Sequence, residues 1–162
     1  MAHIRAELRR AFGLPVRRRP QRRLFRGAGY SPSREQYRAE ALLAQVGARA
    51  PAAGYLIAIT NAGIYVPGFN FLFGFGSADG GYALVSLEPL RQGGDGPASA
   101  HRVRQRTAKI AIHEAGHALG LGHCREAGCV MRYSESVETL DAEGRRLRAR
   151  CRARLRRLVQ TG

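Results

Sequence analysis

The sequence has no apolar run approaching the ~18 residues that a membrane span needs. Its apolar stretches near Tyr55–Thr60 and Phe69–Phe75 are short and broken by Pro67 and several glycines, so they are predicted as strands. Lysine is nearly missing: Lys109 is the only one among 27 basic residues, and the rest are arginine. Phosphate binding draws on both residue types, so this one-sided usage reads as genome base composition before it reads as a selected polyanion site. Cysteine is scarce and odd in number, at three, which excludes the dense, paired frameworks of small secreted domains. Internal repeats and the motifs of known nucleic-acid modules are absent as well. At the start of the chain Arg5, Glu7, Arg9 and Arg10 stand where a signal peptide needs uninterrupted apolar residues. Export is therefore not expected, and a cytoplasmic location is.

What is present fits one domain over residues 1–162. A chain of 17.7 kDa, 44% hydrophobic and 24% charged, lies in the ordinary globular range and can bury a core. The net charge of +15 is concentrated at the two ends: residues 1–49 hold 12 Arg against 3 Glu and residues 125–162 hold 10 Arg against 5 acids, whereas residues 50–101 hold a single Arg. Such charge favours polyanions and acidic partners without naming one.

Residues 1–100 are predicted as an N-terminal part of helices and sheet. Ile4, Leu8, Ala11 and Phe12 recur at helical spacing and end at Gly13, the pattern of a capped helix. The segment Pro15–Pro32 reads as a solvated arm bearing Arg17–Arg19, Arg22, Arg23 and Arg26. Ser33 with Gln36 three positions on, then Tyr37, Ala41, Leu42, Val46 and Gly47, predicts a second helix starting beside Ser33. Aromatic alternation at Phe69, Phe71, Phe73 and Phe75 predicts a strand with one aromatic face. With the turn residues Ser77–Gly81 and a strand over Tyr82–Leu87, it predicts a hairpin over 69–87. Gly93–Ser99 is predicted as a flexible loop, and residues 101–123 as a helix that stops at Gly120 together with the segment that follows it. Residues 124–162 end in an Arg-coated helix with a thin stripe of Leu147, Leu155, Leu158 and Val159.

The chemistry lies at residues 113–123, His-Glu-Ala-Gly-His-Ala-Leu-Gly-Leu-Gly-His, the long zinc signature H-E-x-x-H-x-x-G-x-x-H. His113 and His117 are four apart, so their imidazoles project from one helix face and can share an ion. Glu114 points to the side, placed to act as base on a water without ligating the metal. On an unbroken helix His123 would lie about 1000° around the axis from His113 and several turns away. Gly120 resolves this, because glycine takes the left-handed conformation that ends a helix and lets the chain turn back. Three imidazoles leave a fourth zinc position open, as in catalytic rather than structural sites.

These residues resemble a family. The signature followed by Cys124, four residues, Cys129, one residue and Met131 is similar to the archaemetzincins (archaelysins), zinc peptidases of the metzincin clan. The segment Tyr65–Gly74 and the hairpin ending at Ala83–Leu87 are similar to that family too, so the resemblance covers most of the chain. It implies a mixed α/β fold of α+β character, metzincin-like: a small twisted mixed sheet whose last antiparallel strand borders the cleft, an active-site helix, a Met-turn at Met131 and a C-terminal helix. It implies a zinc-dependent metallopeptidase, with His113, His117 and His123 on a catalytic zinc and Glu114 as general base and acid. Tyr133 is either a group near the zinc or a packed turn tyrosine. The family's pattern ends in C-x-x-C, giving four cysteines for a second zinc, but here Arg148 stands where the first of that pair belongs. Two readings stay open for Cys124, Cys129 and Cys151: a second, structural zinc completed by another ligand, or three reduced thiols. Members usually open with a strand before the first helix, whereas this chain opens in a predicted helix, so either the sheet is one strand smaller or the sequence is truncated. The implied partner is a peptide or protein substrate, and a monomer is expected. A rival from another class is a zinc-containing protein with little turnover that uses its Arg-rich ends to hold nucleic acid or an acidic partner; only non-specific charge speaks for it.

Overall fold

A computed structural model describes residues 1–19, 27, 29–77, 80–93 and 96–160. The predicted arm residues Arg22, Arg23 and Arg26, the turn residues Ala78 and Asp79, and Gly94 and Asp95 lie outside the described residues. The first apolar stripe builds α1 (Ala2–Phe12), whose Ile4 and Leu8 are buried. Gly13, at φ 70°, closes it by donating its amide to the Arg9 carbonyl at 2.8 Å.

The strands that follow are β1 (Tyr30–Ser31) and β2 (Gln36–Arg38), then, beyond α2 (Ala39–Gly47), β3 (Leu56–Thr60) and β4 (Gly63–Tyr65). The helix predicted from Ser33 therefore begins at Ala39. Gln36, Tyr37 and Arg38 are instead drawn into parallel pairing with Gly63, Ile64 and Tyr65, and Glu35 turns the chain at φ 54°. Long-range pairing overrides the local capping pattern, and Arg38 at the helix start makes no side-chain cap.

The predicted aromatic strand shrinks to β5 (Gly74–Gly76), antiparallel to β6 (Tyr82–Ser86). Before it the chain is a loop, because the Phe69 amide donates to the Val66 carbonyl at 3.1 Å and the Leu72 amide to Ile64 at 2.9 Å. The aromatics consequently do not share a face: Phe69 is exposed, Phe71 and Phe73 join one core, and Phe75 packs on the other. The predicted loop at 93–99 contains a short ladder of β7 (Gln92–Gly93) with β8 (Gly96–Pro97). The architecture is mixed α/β, with small mixed sheets in the orders β1-β2-β4 and β3-β6-β5, in which β3 runs parallel to β6.

Alternation along β6 separates two cores. Leu84 faces α2 with Leu42, Val46 and Ile64, while Val85 faces α1 and the long helix α3 (Ala100–Ala118). Ser99 caps α3 by accepting the Arg102 amide at 3.2 Å. A short helix that the sequence reading missed, α4 (Val137–Ala142), opens on a Ser136/Thr139 capping box; α5 (Ala149–Gln160) buries only Cys151 and Leu155. Among the described residues no helix is long and apolar enough to cross a membrane.

One ion pair locks α3 to α4. Arg106, buried, donates to both Asp141 oxygens at 2.8 and 2.6 Å and to the Leu90 carbonyl at 3.0 Å. Asp141→Asn strands a buried guanidinium and is expected to cost about 2 kcal/mol, less than a fully buried pair because Asp141 is partly exposed. The hydrogen bond from Arg106 holds the Asp141 carboxyl below its ordinary 3.8. The folded state therefore binds fewer protons near that pH, so the stabilisation is complete above about pH 4 and is lost as pH falls through the lower folded value. Urea melts at pH 7 and pH 2.5 check this: the variant's deficit is present at the first and shrinks at the second.

Candidate metal centre

The last turns of α3 carry His113 and His117 about one helical turn apart, with Glu114 next to the first of them and packed against Gly74 and Gly76 of β5. The helix stops as predicted. Gly120 takes φ 85°, its amide meets the His117 carbonyl at 2.9 Å, and the Leu121 amide meets Gly116 at 2.9 Å. The chain then doubles back and brings the His123 ring within 5.2 Å of His113 and 4.8 Å of His117, centroid to centroid. One ligand atom from each of the three lies within 4.8 Å of the others. Exposure rises across the set, from buried His113 through half-buried His117 to exposed His123, so the cluster opens to solvent on one side.

The hydrogen bonding fixes the tautomers. His113 Nδ1 donates to the Val130 carbonyl and His117 Nδ1 to the Leu121 carbonyl, each at 2.8 Å. Each neutral ring then presents a bare Nε2, and the two Nε2 atoms sit 3.0 Å apart. Two lone pairs at that distance need a cation between them, which is the arrangement of zinc-ligating histidines held by carbonyl partners. Burial, then the neighbouring His117, pushes His113 down to about 4, and burial lowers His117 as well. Both rings are thus neutral and able to ligate at neutral pH. The donor set fits zinc, with room for a further ligand on the open side.

Glu114 is buried, and burial pushes its carboxyl up to about 8. It has this place because two glycines of β5 leave it room. A Cβ on Gly74 would lie 2.5 Å from Glu114 Cγ and 2.6 Å from its Cδ, and one on Gly76 would lie 3.2 Å from its Oε2. Neither glycine was singled out from the sequence as a site residue, and only their place in a strand beside the signature hints at it. Among the described residues β5 is the antiparallel edge strand of its sheet, and it borders the site as expected of the last antiparallel strand.

Met131 is fully buried and packs against Gly116, where an added Cβ would come within 2.9 Å of the methionine Cε. Its carbonyl accepts the Cys124 amide at 2.9 Å, closing the loop that delivers the Val130 carbonyl to His113. Tyr133 is exposed rather than packed into the turn, and its ring stands 5.5 Å from that of His123.

Beyond this turn the structure also gathers Cys124, Cys129 and Cys151, one sulfur of each within 4.8 Å of the others and all three thiols free. Cys129 and Cys151 are 3.7 Å apart, and burial followed by the neighbouring thiols pushes Cys151 up to about 12. Arg148 stands just before α5, with its guanidinium over Gly128, where an added Cβ would be 2.6 Å from Nη2. Among the described residues no fourth His, Cys, Asp or Glu joins either cluster.

The sequence model of peptidase family M54 matches residues 30–157. The archaemetzincin of Aeropyrum pernix is 41% identical over 100 residues, 62% of this chain and 52% of that protein, so the chain spans about half the length of that curated relative. The archaemetzincin of Archaeoglobus fulgidus is 34% identical over 127 residues, 78% of this chain and 73% of that protein. Among solved structures, a zinc-dependent peptidase from Methanocorpusculum labreanum superposes with a TM-score of 0.82 at 27% identity, covering 94% of this chain and 91% of that one. The archaemetzincin of Methanopyrus kandleri follows at 0.74 and 32%, covering 82% and 71%. The family match runs through the histidine signature, the cysteines and Met131, and on it this chain belongs to the archaemetzincin family, peptidase family M54.

Proposed function

We propose that the chain hydrolyses peptide bonds at a zinc held by His113, His117 and His123. The observation that carries this is the pair of bare Nε2 atoms 3.0 Å apart, with their Nδ1 protons fixed on carbonyls and a carboxyl one residue from the first ring. Bound there, zinc would supply Lewis acidity toward a peptide carbonyl and acidify a water. A cation held by the three imidazoles would favour the ionised form of Glu114 against the effect of its burial, and the carboxylate would then take the proton from the attacking water and return it to the leaving amine. The buried side chain can serve both roles because β5 and α3 hold it in one place and exclude bulk water around it. The free edge of β5 pairs with the extended substrate by strand addition, which lays a scissile bond beside Glu114. Tyr133, exposed at the rim next to His123, would donate a hydrogen bond from its hydroxyl to the developing oxyanion.

The cysteine cluster offers three of the four ligands of a second, structural zinc, with water as the fourth. Three free thiols in one cluster also fit a reducing, cytoplasmic setting. Chelation tests the function: dialysis against a strong zinc chelator is expected to abolish cleavage of a mixed peptide pool, and one equivalent of zinc to restore it. Metal analysis before and after separates one ion per chain from two. Cleavage that survives complete removal of metal would sink the proposal.

A further inference from the structure

We propose that Glu143 is a positioning residue for the metal centre: its carboxylate clamps the turn that carries the Val130 carbonyl to His113. The inference rests on the reading of His113 as a zinc ligand and adds to it a residue outside the histidine signature. Glu143 Oε2 accepts the Gly128 amide at 2.8 Å, and Oε1 accepts a hydrogen bond from Arg132 Nη1 at 2.8 Å. These partners stand two residues before and two residues after Val130. One carboxylate therefore ties both ends of the turn together, with Val130 at its centre. The Glu143 side chain is 12% exposed, so water competes poorly for its oxygens.

Val130 itself is buried and is held at both of its backbone groups. Its amide donates to the Arg146 carbonyl at 3.0 Å, and its carbonyl accepts from His113 Nδ1 at 2.8 Å. Next to Glu143, a Cβ on Gly144 would run into the Gly128 carbonyl, and Gly128 takes φ 71°. The close approach of these two glycines sets the Glu143 carboxylate against the turn.

Anchoring α4 is the competing role for the same side chain. That helix has its own ties to α3, however: Arg106 holds Asp141, and Lys109 Nζ donates to the Leu140 and Asp141 carbonyls at 2.7 and 3.0 Å. What the carboxylate adds is the pose of residues 128–132. Without it the Gly128 amide and the Arg132 guanidinium lose their acceptor, and the carbonyl that orients the His113 ring loses its support. Loss of the groups that orient a metal-ligating imidazole weakens metal binding by roughly 10 to 100-fold.

The test starts from the zinc-loaded full chain labelled with nitrogen-15 histidine. A competing chelator is titrated in, and zinc release is read at the ring nitrogens of His113, His117 and His123, so that any zinc on the cysteines does not enter. Glu143→Ala is expected to bind zinc at the imidazoles at least tenfold more weakly, with its His113 Nδ1 proton exchanging with water at least tenfold faster. Glu143→Gln keeps an oxygen for the Gly128 amide and is expected to stay within about threefold of wild type. Arg132→Gln frees only the exposed arm and is expected to weaken binding by about the same threefold, which keeps the clamp testable if Glu143→Ala does not fold. Asp141→Asn, which loosens α4 without touching the turn, is expected to hold zinc as tightly as wild type. Wild-type affinity in both Glu143→Ala and Arg132→Gln, unchanged exchange of the His113 proton, or an equal loss in Asp141→Asn would overturn the proposal and leave the zinc reading standing. Imidazoles that bind no zinc in the wild type would overturn both.

Discussion

Replacing Glu114 by Gln is expected to lower turnover by about 10² to 10⁴-fold, the range set by losing a positioned acid and base, while zinc content stays at the wild-type level. The amide has nearly the same shape as the carboxyl, so the pocket between α3 and β5 stays filled. The carboxyl is not among the imidazoles whose lone pairs converge, so the ion keeps its three ligands. Burial already pushes this carboxyl up to about 8, which means the fold gains nothing from its charge. Thermal stability of the variant should therefore equal or exceed that of the wild type. Kinetics and metal analysis on one preparation separate the two roles: a drop in zinc together with turnover would make Glu114 a structural part of the site and not its base.

A methyl group on β5 is expected to do nearly as much damage from outside the signature. In Gly74→Ala the new Cβ would sit 2.5 Å from Glu114 Cγ, a separation that real contacts do not reach, so the carboxyl or the strand must move. β5 is held by its ladder to β6, with Gly74 opposite Val85, and the carboxyl has the more freedom to shift. A displacement of about 1 Å at a catalytic group costs roughly 10² in rate. Gly74→Ala should therefore lose about a hundredfold in kcat with zinc retained. Gly76→Ala, whose Cβ would stand 3.2 Å from Oε2, should lose less than tenfold. Equal effects at the two positions would mean that the strand, and not the carboxyl, is what the methyl disturbs.

These two residues mark where sequence reasoning stopped. The imidazole cluster was legible because its geometry is almost wholly local: a four-residue interval on a helix and one glycine bring three ligands together within eleven positions. The stop at Gly120 and the return of His123 occurred as expected for the same reason. Nothing local announces that Gly74 must be small, since the constraint is set by a carboxyl on another element. The carbonyl partner of His113 was hidden likewise, because Val130 reaches it only when the turn before Met131 folds back, whereas Leu121, the partner of His117, follows from the local stop at Gly120. The helix start at Ser33 and the aromatic strand at 69–75 were misread because local pattern competed with pairing from a distance. Gln36–Arg38 are claimed by β4, and the loop before Gly74 is bent by amides seeking Val66 and Ile64. The cysteine cluster was foreseen through family resemblance rather than spacing, and Arg148, the residue that departs from the family pattern, lies against Gly128 beside it.

The most direct test of the zinc peptidase reading is mass mapping of the products when zinc-loaded wild type and Glu114→Gln act on one mixed peptide library. New amino and carboxyl ends produced by the wild type alone, at a defined set of residues, are the result this account predicts. Zinc bound stoichiometrically by both proteins, with no new ends from either, would contradict it.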